Sequence, residues 1–160
     1  MTAARHLSQT NLLALLAPSA LLGGALWFQY FGGLAPCEMC HWQRWPHMAA
    51  IGFALLAFVA PNRVARSVLV GVAGLAILTS GGIGIFHAGV EQHWWQGMTR
   101  CAATGDFGTT PGDFLKSVLA QPLVRCDSIP WLWLGLSMAA WNAVLSSVFG
   151  GLVLWRIVRR

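Results

Sequence analysis

Charge is what this sequence has least of. Asp, Glu, Lys and Arg make up only 9% of its 160 residues, against about 25% in an ordinary soluble domain. Acid is scarcer than base, with five carboxylates against ten Lys and Arg, and tyrosine occurs once. Internal repeats and low-complexity segments are missing, so the length is read as one domain over 1–160. The net charge of +5 does not point to nucleic acid, because no basic stripe interleaves with polar or aromatic readout positions. What fills the space is apolar: 56% hydrophobic residues and nine Trp. A soluble chain of this size cannot hide that much apolar surface, so the solvent for most of it is read as lipid. Cysteine is sparse too. The four cysteines lie in or beside polar segments on one side, which favours an oxidising compartment over the cytosol.

Four apolar runs of membrane-spanning length follow one another, at about 11–31, 42–60, 67–90 and 131–155. The first is read as a retained helix, because its apolar stretch exceeds the roughly 7–15 residues of a signal peptide. Pro61 to Arg66 forms the turn between the second and third runs. Gly71, Gly74, Gly81, Gly82 and Gly84 give the third run small residues that allow close helix approach in lipid. The segments 32–41 and 91–130 are the loops that carry cysteine. In the longer loop, Phe114, Leu115, Val118 and Leu119 make one apolar face of a short helix, which would lie either on the membrane surface or on the bundle's own loops. These features predict an all-α membrane protein.

Basic residues orient it. Arg5, Arg63, Arg66, Arg156, Arg159 and Arg160 fall on the side of both termini. Arg44, Arg100, Lys116 and Arg125 fall on the other. The larger group marks the cytoplasmic side, so both cysteine loops are expected to face outward. Trp94, Trp95, Trp131 and Trp133 would form an interfacial belt at that outer rim.

The chemistry concentrates in Pro36-Cys37-Glu38-Met39-Cys40-His41-Trp42-Gln43-Arg44. Cys37 and Cys40 form a C-x-x-C. A disulfide there closes too small a loop to constrain the chain much, and the spacing suits thiol–disulfide exchange. Arg44 lies one helical turn beyond Cys40, where its charge and the helix N-terminus would stabilise a Cys40 thiolate. Glu38 would work the other way. Cys101 and Cys126 form a second group in the long loop, open at this point to a structural bridge or a redox role. Two other readings compete. Cys37-x-x-Cys40-His41 is also a C-x-x-C-H, the attachment motif of c-type haem, which makes a membrane-bound haem electron carrier the alternative from another class. A zinc site on the four cysteines fits poorly, because the second couple is too widely spaced, and no metal is expected. His47, His87 and Glu91 are ionisable groups in or at the end of apolar runs. Each is a functional candidate by default, against a plain helix-packing role.

Together these features resemble the disulfide bond formation protein B (DsbB) family, the membrane thiol oxidases of the bacterial periplasmic pathway. The resemblance covers nearly the whole chain. It rests on the outward C-x-x-C, on Cys40-His41-Trp42-Gln43-Arg44 as the family's C-x-x-Q-R, and on the cysteine pair in the second outer loop. Trp131 with Leu134-Gly135-Leu136-Ser137-Met138 completes it. It implies a four-transmembrane-helix bundle in the bacterial inner membrane, with a short membrane-parallel helix in the second periplasmic loop. It implies ubiquinone or menaquinone from the membrane pool as cofactor, and a DsbA-like thioredoxin-fold protein as partner. By position, Cys101 would form the mixed disulfide with that partner, and Cys126 would complete the loop disulfide and pair transiently with Cys37. Cys37 and Cys40 would pass electrons on, with Cys40, Arg44, Gln43 and His87 at the quinone.

Overall fold

A computed structural model describes residues 2–97 and 124–159. Four helices dominate: α1 (Thr2–Tyr30), α2 (Glu38–Phe58), α3 (Arg63–Glu91) and α4 (Met138–Val158). A small antiparallel hairpin, β1 (Leu132–Trp133) and β2 (Leu136–Ser137), precedes α4. The helices pack in a ring, with α3 between α2 and α4, and α1 closing against α2 and α4.

Capping residues set the helix ends. Cys37 N-caps α2, its sulfur accepting from Cys40 N at 3.2 Å. Asn62 caps α3 through Ala65 N at 2.9 Å, and Ser137 caps α4 through Ala140 N at 3.1 Å. Each supplies an acceptor to amides that have no partner inside the helix. Arg66 does the reverse for α2. Its guanidinium donates to Ala57 O at 2.9 Å and Phe58 O at 3.4 Å, satisfying terminal carbonyls.

The core is built from small side chains. Ala14, Ala50, Ala54, Ala57 and Ala73 are fully buried beside Val70, Ile77 and Val153. At Gly84 a Cβ would stand 2.9 Å from the backbone nitrogen of Ala143 and 3.1 Å from Ala139 O, so α3 and α4 touch backbone to backbone there. Large apolar residues instead face outward: Leu12, Leu16, Trp27, Leu55, Leu75, Ile85 and Val148 are exposed. Polar His47, His87, Ser80, Ser146 and Glu91 are buried. That inversion is stable only where the surroundings are apolar, and the chain is a multi-pass membrane protein. Among the described residues three helices are long and apolar enough to cross a bilayer, Arg5–Tyr30, Arg63–Glu91 and Met138–Val158. The helix α2 is not one of them. Its first turns carry Glu38, His41, Gln43, Arg44 and His47, which dilute an otherwise apolar segment.

The fourth apolar run begins differently from its sequence pattern. It is helical only from Met138, because Leu134 (φ 51°) and Gly135 (φ 77°) make a two-residue turn with both dihedrals left-handed. That geometry closes a tight hairpin. Trp141 Nε1 then donates to Trp133 O at 3.0 Å and pins the hairpin to α4. The expected short helix around Phe114–Leu119 lies outside the described residues.

Candidate redox site

Cysteines from two distant segments meet at one end of the bundle. Cys37 is 5% exposed and packs with Met39 and Val90, and Cys40, Trp42, Phe86, Val124 and Cys126 close around them. The Sγ atoms of Cys37 and Cys40 are 2.8 Å apart. Three of the four expected cysteines are thus brought together, and Cys101 lies outside the described residues. Both thiols of the C-x-x-C precede the apolar part of α2, which begins at Trp42. Hydrogen bonding to Cys126 and then to Cys40, together with burial, pushes the Cys37 thiol up. The Cys37–Cys40 hydrogen bond holds the Cys40 thiol below its usual range despite burial, and Arg44 adds a smaller push the same way. Of the two thiols, Cys40 is therefore the more readily ionised. Glu38 is exposed.

Arg44 is anchored from α1, where its Nη1 donates to Gln29 Oε1 at 2.5 Å. Next to Cys126, Asp127 receives Arg125 in a two-pronged contact at 2.8 and 2.5 Å, which draws its carboxyl down to about 2.

Behind the thiols lies a buried polar system. Cys37 Sγ is 3.6 Å from His87 Nε2, and His87 Nδ1 is 2.7 Å from Gln43 Nε2. Gln43 Oε1 accepts from Asn142 Nδ2 at 2.7 Å, and Asn142 Oδ1 is 2.9 Å from His47 Nε2. Ser80 Oγ donates to Gln43 O at 2.8 Å, and Ser146 Oγ to Asn142 Oδ1 at 2.9 Å. Glu91 stands 3.9 Å from His87 Nε2 and accepts a short hydrogen bond from Ser137 Oγ. All three ionisable candidates from the sequence, His47, His87 and Glu91, belong to this system. Gln29, Ser80, Asn142 and Ser146 escaped the sequence reading, and Ser137 entered it only as part of the resemblance. A polar side chain inside an apolar run was the available signal for Ser80 and Asn142.

A cavity of about 740 Å³ opens against these groups, within the range of small-molecule sites. Cys37, Cys40, Arg44, His87 and Glu91 sit at its polar side, and Phe28, Trp131, Trp133, Trp141 and Leu145 line the rest. Gln43, His47 and Asn142 line it too. The set suits a flat apolar molecule with a few polar atoms. His41, the histidine of the C-x-x-C-H, is exposed and not among the lining residues. A donor atom from each of Cys37, Cys40 and His87 lies within 4.8 Å of the others. The sulfurs at 2.8 Å are nonetheless closer than the roughly 3.8 Å that two thiolates span on a tetrahedral zinc with Zn–S bonds of about 2.3 Å.

A family model described as "Disulfide bond formation protein DsbB" matches residues 7–156. Proteins named Disulfide bond formation protein B are similar over most of their length. That of Xanthomonas axonopodis pv. citri is 35% identical over 153 residues, covering 91% of this chain and 86% of its own. Those of Shewanella frigidimarina and Aromatoleum aromaticum are 32% and 31% identical, covering 91% and 89% of this chain and 86% and 87% of their own. No solved structure matches.

Proposed function

Since this chain belongs to the disulfide bond formation protein DsbB family, we propose that it is a thiol:quinone oxidoreductase of the bacterial inner membrane. It makes disulfides by reoxidising a periplasmic DsbA-like thioredoxin-fold protein. Its four helices cross the membrane, both termini are cytoplasmic, and the cysteine loops are periplasmic. Electrons enter at Cys101 and Cys126, pass to Cys37 and Cys40, and leave to ubiquinone or menaquinone.

The observation that carries this is the juxtaposition of a C-x-x-C with an apolar, aromatic-lined cavity of about 740 Å³. The donor set fits a quinone: an aromatic-lined apolar space for the ring, and Arg44 and His87 beside its polar side. A bound quinone supplies a sink for two electrons and two protons. The protein's own groups do the rest. The Cys126 thiol against Cys37 supports exchange between the two cysteine pairs. Cys40, held as thiolate, is the terminal donor, and the Arg44 guanidinium, steadied by Gln29, balances its charge. Gln43 acts on the cofactor through His87, whose Nδ1 it engages.

Purified protein given a reduced thioredoxin-fold donor should reduce decylubiquinone or menadione, and Cys40→Ser should abolish the turnover. Unimpaired reduction by that variant would overturn the scheme. A donor lacking its second cysteine should accumulate as a mixed disulfide on Cys101.

A further inference from the structure

The buried polar system has a direction, and that direction leaves one atom over. Two backbone carbonyls set it, because a carbonyl only accepts. Gln43 Nε2 donates to Met39 O at 3.3 Å, which turns its amide nitrogen to His87 and its oxygen to Asn142. Asn142 Nδ2 donates to Ser80 O at 3.2 Å and to Gln43 Oε1, which turns Asn142 Oδ1 to His47. Ser80 Oγ has spent its proton on Gln43 O. His47 Nε2 therefore meets two acceptors, Asn142 Oδ1 and Ser80 Oγ, each at 2.9 Å, and carries the hydrogen. A neutral imidazole has one N–H, so Nδ1 of His47 is a bare lone pair. That atom is buried without a partner, in a residue 3% exposed that lines the cavity. His47 lies one helical turn inward from Arg44 and two from Cys40, along the same side of α2.

A buried acceptor with no donor is costly, and a ligand hydroxyl relieves it. An oxidised quinone cannot do so, because it offers only carbonyl oxygens, and two facing acceptors repel. Its reduced form carries hydroxyls. We propose that His47 Nδ1 accepts a hydroxyl of the reduced ring, so that the cavity binds hydroquinone in preference to quinone. The inference rests on the quinone reading of the cavity. In that reaction two electrons and the proton of the Cys37 thiol leave the pair as its S–S bond forms; with Cys40 already ionised the second proton is drawn from water, and the ring's two carbonyl oxygens end as hydroxyls. His47 favours that outcome by holding the product form, as a cofactor-binding residue.

The test uses the full chain in lipid nanodiscs, with Cys40→Ser to block electron transfer. It is titrated anaerobically with decylubiquinone and menadione and with the hydroquinone of each. Binding is read from quenching of the cavity tryptophans Trp131, Trp133 and Trp141. The hydroquinone is expected to bind about tenfold tighter, the scale of one buried hydrogen bond. In His47→Gln the side-chain amide reaches the Nε2 position and keeps Asn142 and Ser80 paired, but it offers nothing at Nδ1, so the preference should fall to near unity. His47→Asn places a polar atom at Nδ1 instead and should keep most of it. An unchanged ratio in His47→Gln, or equal loss in both variants, overturns the proposal and leaves His47 a packing residue. If the parent binds neither form of either probe, the quinone reading of the cavity itself fails.

Discussion

Gln43 holds three partners with one amide: Met39 O, His87 Nδ1 and Asn142 Nδ2. Gln43→Leu strands a lone pair on His87 and a donor on Asn142, in a region with little water to take their place. Each orphaned group costs about 1–3 kcal/mol, so the variant should unfold at markedly lower temperature, as thermal denaturation in detergent would record. The wild-type His87 ring should show an unprotonated Nδ1 in its 15N shifts, since Gln43 donates to it. A protonated Nδ1 would reverse the direction assigned to the whole system. At this scale the sequence was informative wherever a residue announces its own chemistry. Cys37, Cys40, Arg44, His87 and Glu91 were legible as ionisable or nucleophilic groups beside apolar runs. Asn142 and Gln29 were not, because each matters through a partner that folding brings close: Gln43, 99 positions away, for Asn142 and Arg44, 15 away, for Gln29.

Among the elements, α3 carries the tightest requirement. Its glycines were legible as a close-packing surface, but which of them face a neighbour was not. Gly84 presses on the Ala143 backbone, whereas a Cβ at Gly82 meets nothing within 4 Å. Gly84→Val should therefore destabilise the bundle by about 1–3 kcal/mol or more through overpacking, and Gly82→Ala should be neutral. Reversible unfolding in micelles separates the two, and equal effects would mean that α3 and α4 do not meet as described. The fourth apolar run is not helical over its first seven residues, 131–137, for a related reason. Apolar character reports membrane depth, not backbone conformation, and the left-handed pair Leu134–Gly135 diverts the chain into a hairpin before the helix begins.

At the level of the whole molecule, the exposed apolar girdle and the buried polar system belong together. Lipid outside lets large side chains face outward, and the polar groups gather inside, where they satisfy one another. The excess of Arg at the end bearing both termini predicts which way this body sits. With the native cysteines removed, a cysteine introduced at Asn62 should be shielded from a membrane-impermeant maleimide in intact cells, and one at His93 should react. The opposite pattern would turn the cysteine loops inward and remove the periplasmic partner.

The sequence by itself determined the solvent, because hydropathy is a local property of the chain, and it carries the expectations of which side the thiols face and which residues react, because charge placement and nucleophile identity are local too. Only the tertiary structure decided how those residues work together. It seated Cys126 against Cys37, opened a cavity beside Cys40 and threaded a one-way hydrogen-bond chain to His47. Those relations depend on which faces of four helices meet, and small residues such as Gly84 set that register by allowing backbones to touch.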